Sequence, residues 1–237
     1  QGQMPQLQND QKDFFFLCRR DPQRVASTIV ELVKTRLPKN MDIPASQIQV
    51  LTPTHKGPAG TLALNRALQA ALNPPMEGKH ERLWGERLFR EGDRVMQTRN
   101  DYDAVWEKTD GTVGTGIFNG DVGRIEEIDP SGEWLTVCFD DRVTTYTADQ
   151  LGELDLAYAM TVHKAQGSEY RCVVLSSVQA PPGLMVRGVL YTAITRAREL
   201  LVLVGDDGAV AKMAANDRQQ RRYSGLRRRL AHSGEES

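Results

Sequence analysis

Apolar positions along the chain fall into two textures. Phe14-Phe-Phe-Leu-Cys18 is a continuous apolar run bounded by charge, the pattern of a strand covered on both faces of a parallel sheet. Asp21-Pro22 then offers an N-cap with proline at the first helical position, and Val25, Ile29, Leu32, Val33 and Leu37 repeat at helical spacing. Residues 48–52, Ile-Gln-Val-Leu-Thr, predict a second strand and residues 60–72 a second helix. The order recurs late in the chain, with an apolar helix near 154–166, a strand over 172–176, a helix over 186–196 and a strand over 200–204. Such alternation predicts a parallel α/β sheet covered by helices.

From about residue 92 to residue 152 the segments become short, alternating and punctuated by turns. Residues 94–98, 123–128, 134–139 and 143–147 read as strands, with Asp129-Pro-Ser-Gly132 and Asp140-Asp141 where hairpin turns belong. This predicts a small antiparallel β-barrel inserted into the α/β domain. The expected organisation is a linker over 1–12, a discontinuous α/β domain over 13–103 and 151–216, the barrel over 104–150, and a C-terminal basic helix and tail over 217–237.

Composition narrows the class. With 237 residues, 40% of them hydrophobic and 26% charged, the chain can bury a core, and disorder is excluded as its default state. No run approaches the roughly 18 consecutive apolar residues of a membrane helix. Cys18, Cys138 and Cys172 each sit in an apolar run, which argues against a disulfide framework and for a reducing, cytoplasmic compartment. A formal net charge of −1 means that any nucleic-acid contact must come from a local arrangement of groups. The Gln-rich start carries no targeting pattern and reads as a linker, so the chain is expected to begin partway through a larger protein. Near the other end, Arg218, Arg221, Arg222, Arg227, Arg228 and Arg229 form a basic run. Tyr223, Leu226 and Leu230 recur within it at helical spacing, which favours a docked helix with a solvated arginine face over a phosphate-binding segment.

Three stretches hold candidate chemistry. In Leu156-Ala-Tyr-Ala-Met-Thr-Val-His-Lys-Ala-Gln-Gly-Ser-Glu169 a helix would gather Thr161, Lys164 and Ser168 on one face, with Gly167 as a left-handed stop before Glu169. Glu169 and several donors would then lie at a sheet edge, where α/β proteins place ligands; the plainer reading of His163 is a solvated surface residue. In the stretch 190–204 Arg196 falls at a helix end just before a buried strand, where a guanidinium can offer a planar fork to a phosphate or simply complement the helix dipole. In Thr52-Pro-Thr-His-Lys-Gly-Pro-Ala-Gly-Thr61 a strand end leads through a glycine-containing loop into a helix, and free backbone donors at Gly60 and Thr61 would suit an anion as well as an ordinary helix cap. No Gly-x-x-x-x-Gly-Lys-Ser/Thr phosphate loop occurs anywhere in the chain.

Thr161-Val-His-Lys-Ala-Gln-Gly-Ser-Glu169 followed by Tyr191-Thr-Ala-Ile-Thr-Arg-Ala-Arg198 resembles motifs V and VI of superfamily 1 helicases. Lys56-Gly-Pro-Ala-Gly60, residues 92–102 from Gly-Asp-Arg-Val to Asp-Tyr, and Phe118-Asn-Gly-Asp-Val-Gly123 narrow the resemblance to the RecD-like branch, the exodeoxyribonuclease V alpha subunit family. The resemblance covers nearly the whole chain. It implies the second RecA-like domain of a two-domain motor, a parallel sheet with helices on both faces, carrying a Src-homology-3-like barrel beside the DNA path. It further implies ATP with Mg²⁺ bound mainly by the other motor domain, and 5′ to 3′ stepping on single-stranded DNA by a bacterial, cytoplasmic, monomeric enzyme. Other recombination-repair subunits would be further partners. By the same resemblance Arg196 would reach the γ-phosphate, Glu169 the ribose, Gly167 would allow close backbone approach to the nucleotide, and Lys56 would contact phosphate. Thr161, His163, Asn100 and Thr54 would face the DNA, and Trp106, Phe118 and Trp134 are candidates to stack on bases or fill the barrel core. No metal site is expected.

Two rival readings differ in class. A non-catalytic adaptor, with a degenerate α/β domain and a barrel that binds protein or nucleic acid, would need no upstream motor domain. A nuclease would need a metal-binding carboxylate cluster, whereas Asp121, Asp140, Asp141 and Asp149 are scattered over predicted turns and strands.

Overall fold

The computed structural model describes Leu7 and residues 12–217. Nearly all of the expected linker and all but the first residue of the expected basic helix and tail lie outside the described residues. The elements in chain order are β1 (Phe14–Cys18), α1 (Pro22–Glu31), a π-helical turn (Leu32–Arg36), α2 (Leu37–Met41), β2 (Ile48–Thr52), α3 (Thr61–Leu72), β3 (Glu81–Trp84), β4 (Arg87–Arg90), β5 (Arg94–Gln97), β6 (Asp101–Lys108), β7 (Val113–Ile117), β8 (Val122–Ile128), β9 (Trp134–Phe139) and β10 (Arg142–Thr147). They continue with β11 (Leu154–Leu156), β12 (Ala159–Thr161), β13 (Tyr170–Ser177), α4 (Arg187–Ile194), β14 (Ala197–Gly205) and α5 (Asp207–Ala215).

Five strands form one parallel sheet in the order β1-β14-β13-β2-β12. Alternate residues of each strand face opposite ways. Val50, Val174 and Val202 pack with Val25 and Ile29 of α1 and Leu64 and Leu68 of α3. Leu51, Leu175 and Leu203 pack with Val189 and Ala193 of α4 and Val210 of α5. The chain therefore adopts the RecA-like α/β architecture with helices on both faces. β1 departs from expectation: it lies at the sheet edge, its residues only half-buried, because β14 covers just one of its sides.

The first helix begins as its sequence dictates, with Asp21 accepting from the Gln23 amide at 3.1 Å and Pro22 behind it. It then widens into the π-helical turn ahead of Pro38, which lacks the amide that regular α pairing would use.

The helix expected near 154–166 does not form. Residues 154–156 pair antiparallel with β5, residues 159–161 pair parallel with β2, and residues 162–167 make a turn. The apolar spacing of this stretch fits a helix locally, yet its backbone groups find better-placed partners. The buried Asn65 amide of α3 donates to the carbonyls of Leu156 and Ala159 and accepts from the Ala159 amide at 2.7 Å, holding the passage between the two sheets extended.

Seven antiparallel strands form the second sheet, in the order β11-β5-β8-β9-β10-β6-β7, wrapped round Phe89, Ile117, Ile125, Val137 and Phe139. This is the Src-homology-3-like insertion. Its strands run from residue 94 to residue 156, so it recruits β5 and β11 from both sides of the expected 104–150 span. The two predicted hairpin turns are present: Gly132 and Asp140 both have positive φ, and Asp129 accepts from the Ser131 amide at 3.1 Å. Among the described residues no helix is long and apolar enough to cross a membrane.

Candidate nucleotide and nucleic-acid faces

The parallel sheet distributes the candidate residues between its two edges. β13 and β14 start at the amino edge, at Tyr170 and Ala197, which are register partners. β2 and β12 end at the carboxyl edge, at Thr52 and Thr161, which also pair. Since Leu175 of β13 pairs with Leu51, the two edges are about six residues or roughly 20 Å apart.

Arg196 stands at the amino edge, between the Thr195 cap of α4 and the first residue of β14. Its carbonyl accepts from the Tyr170 amide at 2.8 Å, which ties the end of α4 to the start of β13. Its guanidinium donates through Nη1 to the Ser168 carbonyl at 3.0 Å and through Nη2 to Thr195 Oγ1 at 3.4 Å. Nε is buried without a partner, and no carboxylate of the described residues forms an ion pair with the group. Ser168 lies between Gly167 and the exposed Glu169, so these three residues and Arg196 are brought to one place. Gly167 has φ +91°, and a Cβ there would meet nothing within 4 Å; the position demands a left-handed backbone and does not demand space.

Lys56, Thr54, Thr161 and His163 belong to the carboxyl edge, so Lys56 is not brought to Arg196 and Glu169. The expected free donors of the loop before α3 are occupied. The Gly60 amide donates to the Gly57 carbonyl at 3.1 Å, the Thr61 amide to Thr54 at 3.0 Å and the Leu62 amide to His55 at 3.2 Å, while Thr52 Oγ1 donates to the Ala59 carbonyl at 2.9 Å. This loop caps its own helix, and the anion nest read from its glycines is absent. Lys56 is exposed at its tip. Thr161 is only 6% exposed, its hydroxyl accepting from the Lys164 amide at 3.4 Å, so it shapes the following turn. His163 and Gln166 project from that turn into a groove of about 560 Å³, whose other wall is α4 with Arg187 and Tyr191. Neither Gln166 nor Tyr191 had a chemical signature of its own, and the Ser168 carbonyl that seats Arg196 is main chain; only the fold exposes their roles.

On the barrel, Asn100 Oδ1 accepts from the Asn119 amide at 3.0 Å and joins two loops. Tyr102 and Phe118 beside it are exposed and meet edge to face at 5.7 Å. Trp106 and Trp134 are half-buried, Trp106 lying under the cations of Lys108 and Arg142 at 5.9 and 6.0 Å. Among the described residues no cluster of three or more His, Cys, Asp or Glu could hold a metal ion.

A seven-stranded insertion in a RecA-like sheet, with the two helicase-like stretches joined through Arg196 and Ser168, is the arrangement expected of a superfamily 1 helicase C-terminal region. Residues 64–139 match the ATP-dependent RecD-like DNA helicase SH3 domain, and residues 156–204 match the UvrD-like helicase C-terminal domain. The chain belongs to the RecD-like branch of that superfamily. It is 40% identical to the ATP-dependent RecD2 DNA helicase of Deinococcus radiodurans over 185 residues, covering 78% of this chain and 24% of that protein. It is 32% identical to the RecBCD enzyme subunit RecD of Mycolicibacterium smegmatis over 186 residues, covering 78% of this chain and 30% of that one. The chain thus spans about a quarter to a third of these relatives. The Bacteroides Pif1 helicase solved with ADP-AlF3 and single-stranded DNA is 18% identical, with a TM-score of 0.47, over 91% of this chain and 55% of that one.

Proposed function

We propose that this chain is the C-terminal motor half of an ATP-dependent RecD-like DNA helicase that steps 5′ to 3′ along single-stranded DNA. In this reading it completes a nucleotide site whose phosphate loop and Mg²⁺ ligands belong to an N-terminal RecA-like domain. The carrying observation is Arg196: a guanidinium without a carboxylate, held by the Ser168 carbonyl next to exposed Glu169, with a buried Nε still unpaired. Such a group fits an incoming phosphate, because Nη1 and Nη2 each keep an N–H beyond those given to Ser168 and Thr195.

Bound ATP with Mg²⁺ would supply the phosphoanhydride whose hydrolysis powers movement. Arg196 stabilises the charge that develops on the transferred group, and its seat on a main-chain carbonyl fixes the fork before nucleotide arrives. Glu169 accepts from ribose hydroxyls. Gly167 lets the turn fold back toward the sheet edge. At the carboxyl edge, Lys56, Thr54 and His163 line the DNA path, with Thr161 setting the turn that presents His163, and Asn100 and the Tyr102–Phe118 pair continue the path across the barrel.

The test is steady-state ATPase in the full-length protein. Arg196→Ala should abolish most turnover while neighbouring Arg198→Ala leaves it near wild type. Equal losses from the two substitutions, or ATP hydrolysis by the 237-residue chain alone, would overturn this reading.

A further inference from the structure

The junction between motor sheet and barrel forms an open cavity of about 390 Å³ that reaches the start of β2, where Ile48 pairs with Cys172. Its apolar wall includes Val33, Ile48, Leu68, Leu72 and Val122. Its polar side is cationic. Arg94 of β5 and Arg124 of β8 are direct cross-strand partners, so their side chains emerge on the same face of the sheet, and both line the cavity.

Like charges directly opposite each other destabilise a sheet, although exposed Arg124 is partly screened by solvent. No carboxylate lines the cavity, and neither arginine forms an ion pair with any described residue. Arg94 is partly buried, and desolvation lowers its pKa. Its one hydrogen bond runs from Nη1 to the Ile48 carbonyl at 3.3 Å. Buried Asp93 is adjacent in sequence but serves other donors: Gln69, Asn73, Tyr158 and the Arg90 amide. Two guanidinium groups side by side against an apolar wall, one of them partly desolvated, offer convergent donors to an anion entering the cavity.

We infer that this cavity is a binding site for a small amphiphilic anion, an oxyanion head on a flat or aliphatic apolar body, with Arg94 and Arg124 clamping the head. Such a ligand contacts α3 and the start of β2 on one side and β5 and β8 on the other, and so fastens the barrel to the motor sheet. The inference does not rest on the helicase reading, since it needs only the cavity and its two cations.

Three probes with one apolar body and different charge test it by calorimetric titration into the 237-residue chain. 1-Naphthoate should bind at least about tenfold more tightly than 1-naphthylmethanol, the margin expected for charge-assisted hydrogen bonds, and 1-naphthylmethylammonium should not bind. Arg94→Gln and, separately, the surface-accessible Arg124→Gln should each erase most of the preference for naphthoate while leaving the alcohol unaffected. Should Arg94→Gln fail to fold, Arg124→Gln decides. Equal affinity for naphthoate and the alcohol, or a preference that survives Arg124→Gln, would overturn the proposal, as would the absence of naphthoate binding.

Discussion

Arg196 is held by a main-chain carbonyl and not by a carboxylate, and that sets what its removal should do. The Ser168 hydrogen bond contributes on the order of 1 kcal/mol to folding, so Arg196→Ala should leave the fold intact. In the full-length enzyme kcat should fall by roughly a thousandfold to a hundred-thousandfold, about 4–7 kcal/mol, with only a modest change in nucleotide affinity; single-turnover hydrolysis and nucleotide titration measure the two separately. A different kind of residue is Asp93, fully buried and accepting from Gln69, Asn73, Tyr158 and the Arg90 amide. Asp93→Asn turns an amide donor toward two of those donors and should cost roughly 2–4 kcal/mol. Burial pushes the Asp93 carboxyl above its ordinary 3.8 despite those donors. A folded-state pKa above the unfolded one means that the native state binds the extra proton, so its contribution to stability grows as pH falls through the folded value toward 3.8 and is lost as pH rises. The gap between wild type and Asp93→Asn in urea denaturation should therefore widen between neutral pH and about pH 4.

Among the elements, the loop from β2 to α3 shows how a local signal acquired a different meaning. Its glycines suit an anion nest, but a Cβ on Gly60 would lie 2.4 Å from the Lys56 carbonyl and 2.6 Å from that of His55. The residue is small so that the loop can close on itself and cap the helix. Gly60→Ala should open this turn and cost about 1–3 kcal/mol, read as a lower urea midpoint with an unchanged slope. The stretch 154–166 shows the opposite relation. A helical apolar period is present there, yet strand pairing on both sides and the Asn65 clamp prevail, because partners distant in sequence outbid a weak local preference. By contrast, β2, α3, β13, α4 and β14 follow their sequence patterns closely, each having an unambiguous apolar period.

For the whole molecule, the governing feature is the roughly 20 Å that separates the amino edge, with Arg196 and Glu169, from the carboxyl edge, with Lys56 and His163. Substitutions at the two edges should therefore separate in effect. Lys56→Ala and His163→Ala in the full-length protein should weaken single-stranded DNA binding, Lys56→Ala also reducing the slope of log affinity against log salt by up to about one, with ATP affinity measured without DNA unchanged. Glu169→Ala should weaken ATP binding and spare DNA affinity. Fluorescence anisotropy across a salt series, paired with nucleotide titration, checks both arms, and a loss of both affinities from either edge would contradict the division.

The amino-acid order alone determined the α/β alternation, the antiparallel insertion, the caps and hairpin turns, and the two motifs that meet at residue 196, since each depends on neighbours a few positions apart. The fold decided which sheet claimed residues 154–161, that the donors near Gly60 were already engaged, that Lys56 and Arg196 lie on opposite edges, and that Arg94 and Arg124 line one cavity. Those outcomes turn on strand register and long-range hydrogen bonding, which pair residues up to a hundred or more positions apart, and no local spacing encodes them.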